Sequence, residues 1–241
     1  LVTVSAAGRR QPFWSGIAGD LPGRGPVLCH YPSWAQLLDP DPPDSAAAPS
    51  KGPTFSILLP VFNPPIAFLT ACRESVRRQY DTNWELCIID DASTAPEVAP
   101  LLARVAQEES RIRVEPRSVN GGIARATNDA LQVATGDYIV LLDHDDSLRP
   151  HALAELAAAL AAAPDLDAVY SDEDKIDVDG RRVRPMFKPA FSPEFLRGVM
   201  YLGHVLCVRT TIAKAVGGFD PQYDGIQDYE FMLRVGEHTH R

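Results

Sequence analysis

Gly136-Asp137-Tyr138-Ile139-Val140-Leu141-Leu142-Asp143-His144-Asp145-Asp146 is the stretch on which the reading of this chain turns. Five apolar residues run without interruption, and three carboxylates then fall within four positions. A short unbroken apolar run closed by turn formers marks a strand buried on both faces, as parallel sheets require. Outward from it, similar runs recur at 55–61, 85–89, 112–115, 168–170 and 205–208, while 66–79, 97–108, 123–134 and 151–163 carry helical spacing. The last of these is rich in alanine, the best helix former. Strand and helix alternate, and each of the first three connections leaves room for about one crossover helix. The expected fold class is α/β, a mostly parallel, Rossmann-like sheet with helices on both faces.

The chain has 241 residues, 45% hydrophobic and 23% charged, enough for one large domain with a real core. Its 23 basic residues against 32 acidic ones leave a net charge of −9, which argues against nucleic acid or an anionic membrane surface held by bulk charge. The longest nearly uncharged apolar stretch, 152–163, is twelve residues with Glu155 inside it, short of the roughly 20 needed to cross a bilayer. No transmembrane segment is expected. Cys29, Cys72, Cys87 and Cys207 lie far apart with no C-x-x-C pair, so reduced thiols are expected rather than a zinc knuckle or disulfide framework. Nine of the 21 prolines precede Thr54, in a region containing DPDPPD at 39–44. Residues 1–53 therefore read as a Pro-rich N-terminal arm or linker, and 54–241 as one domain. In the arm, Tyr31 and Trp34 are available to pack on the domain or on something N-terminal to it. Leu1 at the start, and a helical pattern through 237–241 with no stop signal, read as a piece of a longer protein.

In open parallel sheets, ligands bind beyond the carboxyl ends of the strands, where strand order reverses. After the first strand comes Val61-Phe62-Asn63-Pro64-Pro65; after the second, Asp90-Asp91-Ala92-Ser93-Thr94; after the fourth, Asp143-His144-Asp145-Asp146. Asp90 and Asp91 suit helix capping or a turn as well as a ligand. Three crowded carboxylates repel one another unless a cation neutralises them, so Asp143–Asp146 point to a metal. Extended backbone would put Asp143 and Asp145 on one side, sharing a hard divalent ion, Mg2+ or Mn2+. Asn120-Gly121-Gly122 opens the helix at 123, where backbone amides could face an anion, although neither G-x-x-x-x-G-K-[ST] nor G-x-G-x-x-G is present. Arg125 is a phosphate or base contact, or a solvated helix residue. Trp84, just before a strand, reads as a core-edge residue, and His204 as a hydrogen-bonded structural histidine.

FSILLPVFNPP, WELCIIDDAST, NGGIARATNDAL, GDYIVLLDHDD, YSDEDK and GIQDYEFMLR occur in that order over 55–235. With these six segments the chain resembles the inverting family 2 glycosyltransferases of GT-A fold. DHDD followed by YSDEDK is similar to the bacterial transferases that build O-antigen, rhamnan and related surface polysaccharides. The resemblance implies a nucleotide pocket from Pro60, Phe62, Asn63, Asp90, Asp91, Gly122 and Arg125. Asp143 and Asp145 match the family's D-x-D, Asp143 beside the ribose and both at the metal. Asp228, in Gln227-Asp228, matches the catalytic base, with Gln227 where glutamate is commoner. Asp172, Glu173 and Asp174 would line the donor-sugar or acceptor side, or form a solvated acidic turn. A further metal-binding histidine is implied beyond the base, near His238 and His240 or past residue 241.

Sugar transfer with inversion fits these residues: one carboxylate takes the acceptor hydroxyl's proton, and a cation holds the leaving diphosphate. The implied partners are a UDP- or dTDP-sugar donor and a glycan or lipid-linked glycan acceptor. The implied location is the cytoplasm, free or peripheral at the inner membrane face. Competing readings are a sugar nucleotidyltransferase, whose early Gly-rich basic loop is missing after the first strand; a phosphohydrolase, whose D-x-D would follow that strand; and a non-catalytic nucleotide-sugar-binding module.

Overall fold

The computed structural model of the chain describes Tyr31 and residues 52–239. Five strands and four helices alternate first: β1 (Phe55–Val61), α1 (Ile66–Arg77), β2 (Trp84–Asp90), α2 (Val98–Glu108), β3 (Ile112–Pro116), α3 (Ile123–Val133), β4 (Tyr138–Leu141), α4 (Ala152–Ala162) and β5 (Ala168–Tyr170). A ribbon of β6 (Glu173–Ile176) and β7 (Arg182–Met186) follows. Then come α5 (Pro193–Gly198), β8 (Leu206–Arg209), α6 (Thr210–Ala215), a 3-10 turn at Pro221–Tyr223 and α7 (Gln227–His238).

The main sheet has the order β3-β2-β1-β4-β8-β5. Strands β1 to β4 pair parallel, and β8 runs antiparallel to both β4 and β5. All seven β1 residues are buried, so β1 is central and reads as a continuous apolar run. Alternation divides its side chains between two cores. Phe55, Ile57, Leu59 and Val61 join Leu69 and Val76 of α1, Leu102 of α2 and Leu153 and Leu156 of α4 on one face. Leu58 joins Ala126 and Ala130 of α3, Ala213 of α6 and Phe231 of α7 on the other. Helices on both faces of a mostly parallel sheet are the expected class.

Polar side chains bind the amino end of the sheet. Glu85 Oε1 accepts from Ser56 Oγ (2.6 Å) and the Thr135 amide (2.6 Å), and Asp137 Oδ2 accepts from the Thr54 amide (2.9 Å). Gly136 is required there, since a Cβ would meet the Ser56 nitrogen at 2.8 Å. The chemistry-bearing residues lie at the opposite, carboxyl end.

Sequence reading missed β6, β7 and the short helices α5 and α6. The ribbon lacks a buried face, with Ile176 62% and Val178 fully exposed, so no apolar alternation marks it. Cys72, Cys87 and Cys207 are free and buried. Tyr31 packs on the domain: its hydroxyl donates to Asp174 Oδ2 (2.6 Å) and its ring meets Phe187 edge-on at 6.4 Å. Trp34, Cys29, His240 and the DPDPPD run lie outside the described residues. Among the described residues no helix is long and apolar enough to cross a membrane.

Candidate functional site

Strand order reverses between β1 and β4, so the switch point lies beyond Val61 and Leu141. Pro60 is inside buried β1, opposite Ile89. Phe62 follows it at 45% exposure, an apolar ring held at the rim. Asn63 turns the chain in the left-handed region (φ 45°). Its Oδ1 accepts from the amides of Thr94 and Ala95 (2.8 Å each), and its own amide donates to Ser93 Oγ (2.9 Å). The loops after β1 and β2 are thereby one unit.

Asp90 is 6% exposed, and its Oδ1 accepts from the Ser93 amide (3.0 Å). Asp91 is 3% exposed and takes the Gly121 amide at Oδ1 (2.8 Å) and the Gly122 amide at Oδ2 (2.9 Å), with Arg117 Nη1 at 3.4 Å. The amides expected to face an anion at the start of α3 do so, but the anion is Asp91's own carboxylate. Arg125 is exposed and donates from Nη1 to the Gly121 carbonyl (2.9 Å). Trp84 is the buried first residue of β2, under the Arg111 guanidinium at 3.8 Å.

After β4 the chain turns at once: the Asp146 amide donates to the Asp143 carbonyl (3.1 Å). Extended alternation therefore does not continue through 143–146, and the turn groups Asp143 with Asp146 and leaves Asp145 exposed. Among the described residues, Asp143, Asp146 and His204 form a group able to hold a cation, with ligand atoms within 4.8 Å of one another. His204 Nε2 is 3.5 Å from Asp143 Oδ2, and its Nδ1 is 4.0 Å from Asp146 Oδ2. The cause is register. Leu141, the last residue of β4, lies opposite Leu206, the first of antiparallel β8, so Asp143 just past β4 and His204 just before β8 emerge at the same edge of the sheet. Burial, against the pull of His204 and with the charges of Asp143 and Asp145, pushes the Asp146 carboxyl above its usual range.

Asp228 sits in the first turn of α7. Burial and the neighbouring Asp143 charge raise its carboxyl to about 6, with His204 opposing. Asp228 thus lies within electrostatic reach of Asp143, just past β4, and of His204, just before β8. Gln227 is buried and accepts at Oε1 from the Gly225 amide (2.8 Å).

The acidic run after β5 has defined partners in the structure. Asp172 Oδ1 accepts from the Lys188 amide (2.7 Å), and Asp174 Oδ2 from Arg182 Nε (2.5 Å). Glu173 Oε2 accepts from Lys188 Nζ and the His204 amide (3.0 Å each). Lys188, its side chain 1% exposed, also donates to the His204 carbonyl (2.8 Å). Glu173 and Lys188 thus bracket His204. Burial opposes ionisation of Glu173, yet Lys188 and the His204 amide hold its carboxyl below the usual range. A cleft of about 100 Å3 beside Asp146 and His204 is lined by Tyr31, Arg149, Asp172 and Arg182.

Sequence reasoning left two contributors unread, His204 and Lys188. His204 passed as a structural histidine because its approach to Asp143 depends on the β4–β8 register. Lys188 carried no motif. His238, near the expected further ligand, lies in the last turn of α7.

The family model described as "Glycosyl transferase family 2" matches residues 56–213. The chain belongs to glycosyl transferase family 2. Among its family relatives, the O-antigen biosynthesis protein RfbC of Myxococcus xanthus is 42% identical over 222 residues, covering 90% of this chain and 17% of RfbC. The hyaluronan synthase of Pasteurella multocida is 28% identical over 189 residues, covering 78% of this chain and 19% of the synthase. The chain spans about a fifth of the length of such relatives. Staphylococcus aureus TarS 1–349 in complex with UDP superposes with TM-score 0.62 at 22% identity, over 76% of this chain and 54% of TarS 1–349. The mannosyltransferase PcManGT of Pyrobaculum calidifontis, in complex with GDP-Man and Mn2+, superposes with TM-score 0.59 at 20% identity, over 88% of this chain and 60% of its own. This family 2 chain shares their GT-A architecture.

Proposed function

We propose that residues 54–241 are the catalytic domain of a metal-dependent inverting glycosyltransferase, preceded by an arm at 1–53. It moves a sugar from a nucleoside diphosphate sugar, UDP- or dTDP-linked, to a hydroxyl of a glycan or lipid-linked glycan in bacterial surface polysaccharide assembly. The observation that carries this reading is the meeting of a carboxyl raised to about 6, Asp228, with the Asp143–Asp146–His204 group. The names of RfbC and of the UDP and GDP-Man complexes favour a sugar-nucleotide donor. A place in the cytoplasm or at the inner membrane face accords with that donor.

The donor set fits a divalent cation. Two carboxylates and an imidazole converge, and His204 Nδ1 is buried with no hydrogen-bond partner among the described residues. Asp143, Asp146 and His204 would hold Mn2+ or Mg2+, with Asp145 at the exposed edge of the same turn. When bound, such an ion supplies charge neutralisation for a leaving diphosphate.

The chain's own residues do the rest. Phe62 and the Asn63-clamped loops border the nucleotide pocket, with Pro60, Asp90, Asp91, Gly122 and Arg125 forming its floor and walls. Asp228, ionised, accepts the proton of the acceptor hydroxyl as that oxygen attacks the anomeric carbon. One in-line displacement needs no protein nucleophile. Gln227, Asp172, Glu173 and Asp174 border the donor-sugar and acceptor side.

Calorimetric titration of the full chain with UDP, dTDP, GDP and CMP, with Mn2+ and with chelator, tests the reading. Metal-dependent binding of one diphosphate supports it. Metal-independent binding, with no sugar transfer or donor hydrolysis, would favour the binding-module alternative.

A further inference from the structure

Helix α3 holds the chain that leads to Asp228. In mid-helix, Asn128 Nδ2 donates to the Phe219 carbonyl (2.7 Å), and its Oδ1 accepts from the Phe219 amide (2.8 Å). The first amides of a helix have no partner within it. At α3 one of these, Ala124 N–H, donates to Asp224 Oδ1 (2.9 Å), a residue one hundred positions later. Gly122, with φ 89°, makes room: a Cβ there would collide with Asp224 Oδ2. Between Asp224 and α7 the chain is tied locally, through Ile226 N–H to the Tyr223 carbonyl (2.9 Å) and Gly225 N–H to Gln227 Oε1 (2.8 Å). On the other side, Arg234 Nη2 donates to the Gly218 carbonyl (2.6 Å) and Nη1 to the Val216 carbonyl. Phe219 stacks on Phe231 of α7 at 4.3 Å.

We propose that Asp224 and Asn128 are positioning residues for Asp228. The proposal rests on the reading of Asp228 as the base. Two bonds from Asn128 fix Phe219, one bond to Ala124 fixes Asp224, and only three residues separate Asp224 from Asp228. The same helix end is held by Asp91 through Gly121 and Gly122, so one helix start ties the loop after β2 to the segment bearing the base. This accounts for the NGGIARATNDAL run: its glycines and Asn128 serve as a dock for residues 219–224.

The test compares Asp224→Ala, Asp224→Asn and Asp228→Asn in the full chain, with Asn128→Ala as a second break in the clasp. Asparagine at 224 keeps an Oδ1 acceptor for Ala124. Two readouts are taken: nucleoside diphosphate release from UDP- and dTDP-sugars with Mn2+, and amide exchange, which needs no substrate. In Asp224→Ala, kcat is expected to fall on the order of tenfold to a hundredfold, the cost of a small misplacement. KM for the donor and affinity for UDP stay unchanged. Exchange rises in 225–231 but not in β1 or β4, and Asp224→Asn restores both readouts. Wild-type exchange in 225–231 overturns the proposal. Wild-type kcat in Asp224→Ala, with Asp228→Asn inactive, overturns positioning and leaves the base reading standing. Wild-type turnover in Asp228→Asn removes both. A joint loss of melting temperature and UDP affinity that Asp224→Asn does not rescue makes Asp224 a scaffold residue and overturns the proposal.

Discussion

Replacing Asp91 with alanine separates a structural carboxylate from a ligand contact, and the structure sets the size of the effect. Both oxygens of this buried side chain are engaged, by Gly121 N–H at 2.8 Å and Gly122 N–H at 2.9 Å, with Arg117 at 3.4 Å. Hydrogen bonds to a charged group contribute about 1.5–3 kcal/mol each, and an orphaned buried donor costs about 1–3 kcal/mol. Two such bonds, partly recovered by water reaching the loop, give an expected loss of roughly 3–5 kcal/mol for Asp91→Ala. In a domain of this size that lowers Tm by about 10 °C. Asp91→Asn keeps one acceptor but turns an NH2 group toward an amide, so it should lose nearly as much. Urea unfolding followed by far-UV circular dichroism, with the m-value unchanged, reads the loss directly. A change under about 1 kcal/mol together with abolished UDP binding would refute the reasoning, because the carboxylate would then serve the ligand and not the loop.

Asp228→Asn is expected to lower turnover about 10²–10⁴-fold while UDP still binds, measured by single-turnover transfer and calorimetry. Because burial and Asp143 raise Asp228 to about 6, kcat/KM should fall as pH drops through about 6, and a profile flat from about pH 5 to about 8 would sink the base assignment. The linkage has the opposite sign for stability: a carboxyl raised from 3.8 to about 6 favours the fold most below 3.8, and that contribution is lost as pH rises through about 6. Titrating His204→Ala with Mn2+ should show affinity reduced roughly 10–100-fold, and wild-type affinity would remove His204 from the cation group. Burial pushes the Cys72 and Cys87 thiols up to about 12 and Cys207 still higher, so thiol reagents at neutral pH should label none of the three before unfolding. Peptide mapping of the labelled chain would reveal a native-state reaction at any of them.

The alternation of strands and helices was legible because a strand buried on both faces has no freedom in composition. β1 and β4 are short apolar runs buried at every position, β2 is buried at all but Glu85, and turn formers end them. The site was legible in part for the same reason: apolar runs stop where residues leave the sheet, so Asp90 at the end of β2 and Asp91 and Asp143 just past strand ends stood out. The β6–β7 ribbon was illegible. With both faces largely exposed it needs no apolar period, and its place depends on bonds such as Arg182 to Asp174 and Lys188 to Glu173.

By itself the sequence determined the alternating strands and helices from β1 to β5, that the sheet is mostly parallel, and which loops carry carboxylates, because burial and backbone preference act on neighbours along the chain. Only the tertiary structure decided which carboxylates meet. The turn at 143–146 selects Asp146 over Asp145, the antiparallel register of β8 against β4 brings His204 to Asp143, and Asp91 turns inward to hold the start of α3. Each depends on distances between residues far apart in the chain, set by strand register and helix docking rather than by local composition.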